Sequence, residues 1–101
     1  MSELRKALKD FSQERDWEKF HTPKNLSMAL SVEVAEIVEI FQWLNPEQSQ
    51  QLNPKQKSHL AQEIGDVMVY LTMLGAKYDL DPIECAQQKM LQNAIKYPVK
   101  S

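Results

Sequence analysis

Apolar residues recur along this chain at helical spacing, in four stretches separated by short polar breaks. Leu4, Ala7, Leu8 and Phe11 form the inward stripe of a first helix, with Ser2 placed as its cap. The pattern fades at Arg15 and Asp16. The segment Trp17-Glu18-Lys19-Phe20-His21 carries aromatics without a clean face, which predicts a helix end or a structured connection. Thr22-Pro23 supplies a cap followed by a proline at the first helical position and predicts a second helix to about Leu44, stopped by Asn45-Pro46. Glu47 to Leu52 holds three glutamines and no apolar pattern, and reads as a polar loop. Asn53-Pro54 repeats the cap-and-proline start and predicts a third helix to about Tyr78. Asp81-Pro82-Ile83-Glu84 opens a fourth, with Glu84 placed to complete a capping box, and it should run to about Lys96, before Pro98. Four helices with short connections predict an all-α fold, a four-helix bundle formed by one domain over residues 1–101.

The second and third helices echo each other. A shift of thirty residues aligns Leu30, Val34, Ile37, Phe41 and Leu44 with Leu60, Ile64, Val67, Leu71 and Leu74. At about 100° per residue, each set fills a stripe about 80° wide. Glu33 and Glu63 lie just beside that stripe, and Glu36 and Asp66 lie one step further round. Two such helices packed along their stripes bring all four acids toward one place. Within each pair the carboxylates are three residues apart and project from one side of the helix.

One such pair is common on a solvated helix. Two in matching register beside an apolar seam are costly to desolvate unless something positive sits among them. An all-oxygen donor set suits a hard cation, which points to Mg²⁺, or Mn²⁺ as its substitute. A di-iron carboxylate bundle requires Glu-x-x-His pairs, and neither position here holds a histidine.

Composition narrows the classes further. The chain has 43% apolar residues and only two glycines, Gly65 and Gly75, which favours helices over a sheet with tight turns. A net charge of −2 with scattered basic residues excludes a nucleic-acid polymer as the expected partner. The lone Cys85 fits a reducing compartment. No apolar run approaches the roughly 20 residues of a membrane span, and the N-terminus lacks a signal-peptide pattern, so the expectation is a soluble, cytoplasmic protein without a membrane partner.

Further candidates cluster around the acids in sequence. Glu39 lies about 120° round the helix from Glu33, nearer to Glu36, and is either an exposed glutamate or an auxiliary metal or water-orienting group. Tyr70 stands four residues after Asp66, where its hydroxyl reaches the boundary of the core or a ligand. Lys89, Asn93 and Tyr97, with Lys96 close by, share a face of the last helix. By spacing alone that is a solvated face; beside a metal, such cations and amide donors are what a polyphosphate needs. Trp17, Phe20, His21 and Trp43 are the one aromatic concentration, suited to core packing or to a nucleobase slot.

Taken together, these segments resemble a known family. Glu33-x-x-Glu36 followed by Glu63-x-x-Asp66 is similar to the signature of the all-α nucleoside triphosphate pyrophosphohydrolases of the MazG type. Glu14 to His21, Pro23-Lys24-Asn25-Leu26, Phe41-Gln42-Trp43, Asp66-Val67-x-x-Tyr70-Leu71 and Lys89-Met90-x-x-Asn93-x-x-x-Tyr97-Pro98 resemble the dCTP pyrophosphatase branch. The resemblance implies a Mg²⁺-dependent, house-cleaning hydrolysis of a dNTP to dNMP and pyrophosphate, by water attack at the α-phosphorus. It implies Glu33, Glu36, Glu63 and Asp66 as metal ligands and Lys89, Asn93 and Tyr97 as phosphate or sugar contacts. Trp17, His21 and Trp43 would frame the base, with Tyr70 near the sugar. It also implies dimers that pair into tetramers, with sites assembled between chains. The glutamine-rich loop is shorter than in animal members, which leaves base preference open. Two other classes stay open: a nucleotide-binding sensor with negligible turnover, and a structural or toxin–antitoxin-like interaction module. The complete set of four acids favours catalysis.

Overall fold

After the first helix, each α-helix begins where a short polar side chain and a proline meet. The computed structural model describes residues 2–99, and the cap expected from the side chain of Ser2 falls outside them. Helix α1 spans Ser2–Glu14, and a 3-10 turn follows at Glu18–Phe20. Helix α2 spans Pro23–Phe41, a one-turn α3 spans Pro46–Ser49, α4 spans Pro54–Ala76 and α5 spans Pro82–Lys96. Thr22 Oγ1 accepts from the backbone N–H of Asn25 at 3.1 Å, and Asp81 Oδ1 accepts from that of Ile83 at 2.8 Å. Each cap of this kind contributes about 1 kcal/mol. No strand occurs among the described residues, and no helix is long and apolar enough to cross a membrane.

The helix ends depart modestly from expectation. α2 stops at Phe41 and closes through a turn in which Leu44 donates its N–H to the Phe41 carbonyl at 2.9 Å. The expected polar loop contains α3, because Asn45 does more than stop α2. Its side chain accepts from the N–H of Gln48 at 2.8 Å while Gln48 Oε1 accepts from the N–H of Asn45 at 3.0 Å. Asn53 and Gln56 repeat that reciprocal box at the start of α4. At the far end of α4 the chain turns sharply, with Leu80 donating its N–H to the Gly75 carbonyl at 2.9 Å. A Cβ on Gly75 would lie 2.5 Å from the Leu80 carbonyl oxygen, so this corner requires glycine.

α2 and α4 pack along each other, and α1 lies against α4. Arg5 ties α1 to the end of α4, reaching Asp79 Oδ1 at 3.0 Å and the Ala76 carbonyl at 3.4 Å. The fold is all-α as expected, and α5 stands off from the other three long helices. α5 meets α4 at its start, and every residue from Ile83 to Val99 is exposed. Its physical reason lies in the helix itself, which carries apolar groups toward two sides (Met90, Leu91, Ile95) and finds no facing surface in its own chain. The radius of gyration is 16.8 Å, against about 13 Å for a closed domain of this length. Leu26 is the one fully buried apolar side chain among the described residues.

Candidate active site

The seam between α2 and α4 is rotated relative to the apolar stripe. Val34 and Ile64, equivalent members of the two stripes, are 45% and 50% exposed. Glu63 in contrast is buried at 6%, and Glu33 is half-buried facing it. The two glutamates expected beside the seam therefore sit inside it. Each is held there by helix geometry: Glu33 lies between Leu30 and Ile37 on α2, and Glu63 between Leu60 and Val67 on α4.

Carboxylate oxygens of Glu33, Glu36 and Glu63 all lie within 4.8 Å of one another. Glu33 Oε2 and Glu63 Oε2 are buried without a hydrogen-bond partner. With every carboxyl ionised, acceptors face acceptors, and a shared proton relieves them. Hydrogen bonding to Glu63 is the largest cause that pushes the Glu33 carboxyl up to about 7, followed by burial, hydrogen bonding to Glu36 and repulsion from Glu36 and Glu63. The hydrogen bond from Glu33 holds Glu63 down. Hydrogen bonding to Glu36, burial and repulsion from Glu36 and Asp66 outweigh it and leave Glu63 raised. Asp66 is exposed and stands outside the three-carboxylate cluster, but its charge acts on Glu63. Orphaned buried oxygens in an all-oxygen set are what a hard divalent cation satisfies, so these residues fit one.

A pH dependence follows directly. The folded pKa of Glu33 lies above its ordinary 4.5, so the fold favours the protonated carboxyl. Its contribution to stability is full below about 4.5 and is lost as pH rises through about 7. In chelator, the melting temperature should fall across that window, and Glu33→Gln should flatten the fall. Thermal melts in a buffer series measure both.

The other candidates separate into groups. His59, on α4 one turn before Glu63, places Nε2 3.4 Å from Glu63 Oε1. Its spacing of four residues, one helical turn, was the available signal. Glu39 is exposed on α2 and lies outside the cluster, and Tyr70 is half-buried on α4. Trp17 meets His21 edge-on, with ring centroids 6.4 Å apart, and Phe11 at 5.4 Å. Arg15 lies 3.5 Å over the Phe11 ring. Trp43 stands apart from that group, 86% exposed after the end of α2. Lys89, Asn93, Lys96 and Tyr97 are exposed on or just beyond α5, which this chain does not fold back over its own acids.

The chain compares closely with known proteins. It is 39% identical to dCTP pyrophosphatase 1 of Rattus norvegicus over 101 residues, 98% of this chain and 59% of that protein. It is 37% identical to dCTP pyrophosphatase 1 of Homo sapiens over 100 residues, 97% of this chain and 59% of that protein. It thus spans about three-fifths of the length of the curated relatives it matches. The crystal structure of a pyrophosphatase from Archaeoglobus fulgidus superposes with a TM-score of 0.90 at 41% identity, covering 98% of this chain and 93% of that one. The acid seam and α5 both fall within residues 28–101, the part matched by the family model, and the chain belongs to the MazG-like family.

Proposed function

We propose that this chain is a nucleoside triphosphate pyrophosphohydrolase, cleaving a dNTP to dNMP and pyrophosphate, with dCTP or a related or modified nucleotide favoured. One observation carries the reading: three carboxylates meet inside an apolar seam with two buried oxygens unpartnered. Glu33, Glu36 and Glu63, with Asp66 at the edge, would hold Mg²⁺, or Mn²⁺ in its place. The cation, when bound, supplies charge neutralisation for the triphosphate and a lowered pKa for water. The chain's own groups do the remainder. A carboxylate at the rim, Glu36 or Glu39, orients the attacking water and takes its proton as the water meets the α-phosphorus in line with the departing pyrophosphate. Trp17 and His21 lie at the base end of the substrate, with Tyr70 toward the sugar.

The phosphate contacts on α5 reach an acid seam through association of two or more copies, as a homodimer or homotetramer. Lys89, Asn93, Lys96 and Tyr97 are solvated in their own chain, and their chemistry suits a polyphosphate. Incubating the protein with Mg²⁺ and each dNTP, then separating the products, tests the reaction. Pyrophosphate and dNMP in equal amounts are expected, with activity abolished by chelator and restored by Mg²⁺. Release of orthophosphate would reject attack at the α-phosphorus, and tight nucleotide binding without any product would make the chain a sensor.

A further inference from the structure

The two oxygens of the buried Glu63 carboxylate are in different situations. Oε1 is turned to His59, one turn earlier on α4, whose Nε2 lies 3.4 Å away. Oε2 is buried without a hydrogen-bond partner. Glu33, Glu36 and Asp66, which also act on Glu63, are all acids. Among the described residues, His59 is the one basic side chain within ion-pair distance of the carboxylate cluster.

A histidine and a glutamate one turn apart are common on helices, where such a pair supports the helix itself. Three features set this pair apart. An acid placed four residues before a base supports a helix better than the reverse, and here the histidine comes first. The start of α4 is already secured by the reciprocal box of Asn53 and Gln56. A surface pair joins two solvated groups, whereas this half-exposed imidazole reaches a carboxylate that is buried. The last torsion of a glutamate side chain is broad, so its rotamer does not fix the plane of the carboxyl group. A donor held against one oxygen does. Either protonation form of imidazole can present an Nε2–H. At 3.4 Å the contact stands a few tenths of an ångström beyond a formed hydrogen bond, a gap that a half-exposed ring has the freedom to close.

We infer that His59 is a positioning residue for the cation site: its Nε2–H holds Glu63 Oε1 and sets the plane of the buried carboxylate, leaving Oε2 to ligate a divalent cation. The inference rests on the proposed metal-dependent reading of the seam and deepens it. Partners that orient a ligating carboxylate in this way govern how tightly the ion is held, and losing one weakens binding by about 10–100-fold.

The test uses the full chain and its His59→Leu and His59→Gln variants. Leucine keeps bulk and removes the donor, while glutamine keeps an N–H donor on a flexible side chain. Mn²⁺ alone is the probe, titrated into each protein without nucleotide and followed by loss of the free-ion electron paramagnetic resonance signal. Circular dichroism in chelator checks that each variant is folded, and His59→Ala, the best helix former, takes the place of leucine if leucine disturbs the fold. His59→Leu should bind Mn²⁺ about tenfold more weakly than wild type, and His59→Gln should keep most of the affinity. In dNTP hydrolysis, the Mg²⁺ needed by His59→Leu for half-maximal rate should rise by the same factor, with kcat recovered at saturating Mg²⁺. Equal or tighter Mn²⁺ binding by a folded His59→Leu overturns the role of His59 and leaves the cation site standing, as does an equal loss in both variants. A wild type that takes up no Mn²⁺ overturns both.

Discussion

Glu63→Gln should lower kcat/KM by roughly a thousandfold and raise the melting temperature of the metal-free protein. The two effects have one cause. Glu63 is buried in the seam within 4.8 Å of oxygens from Glu33 and Glu36, and it also feels the charge of Asp66. Without a cation this arrangement is repulsive, and the amide removes a charge from its centre while keeping its shape. The amide can also donate to Glu33, whose Oε2 has no partner. With nucleotide and Mg²⁺ present, the same charge is the one the site needs. Steady-state kinetics and thermal melts in chelator, made on one preparation, read both effects. Activity retained at the wild-type level would remove Glu63 from the site, and a lower melting temperature would mean that the carboxylate is structural.

Replacing Leu91 and Ile95 with glutamate should convert the protein to monomers and lose nearly all activity. The chain exposes 8175 Å², against about 5,900 Å² for a closed monomer of this size. The surplus, about 2,300 Å² per chain, is of the size that obligate homodimers bury. Much of it is apolar: Met28, Val32 and Val38 on the outer face of α2, Ile64 on α4, and Leu91 and Ile95 on α5 are all more than half exposed or nearly so. Leu91 and Ile95 lie one turn apart, on the side of α5 opposite Lys89 and Asn93. Glutamates there spare the polar face but place charges where the proposed second copy would pack. Light scattering should give a dimer or larger for wild type and a monomer for the variant. A monomeric variant with full activity would show that each chain completes its own site.

Much of this architecture was legible in the sequence, and the exceptions share a cause. Thr22-Pro23, Asn53-Pro54 and Asp81-Pro82 fix helix starts by local chemistry, so no tertiary information was needed to find them. The acid pairs were visible for the same reason, as a spacing within a single helix. The register of the seam was not. Periodicity assigns the most apolar stripe to the interior, which placed Val34 and Ile64 inside and Glu33 and Glu63 beside them. In the structure the carboxylates face inward, while Val34 and Ile64 remain open on the flank. Hydrophobicity along one chain reports the sum of all the surfaces a helix must cover. It does not say which of them belongs to its own fold. The same ambiguity hid the exposure of α5, whose amphipathic pattern reads identically whether its partner is internal or external. The burial of Ser12 and Thr72 was invisible for a different reason, since a buried hydroxyl on a helix has no sequence signature.

The exposure of α5 has a genetic consequence. If α5 completes the site of another chain, as proposed, the products of two alleles are answerable to each other. A chain with damaged acids still lends a sound α5, and a chain with a damaged α5 still offers sound acids. Mixed assemblies of the two would regain a fraction of their sites, while a chain defective in both would disable sound chains with which it pairs. Loss-of-function alleles would then fall into complementing and dominant classes, divided along the corner at Gly75.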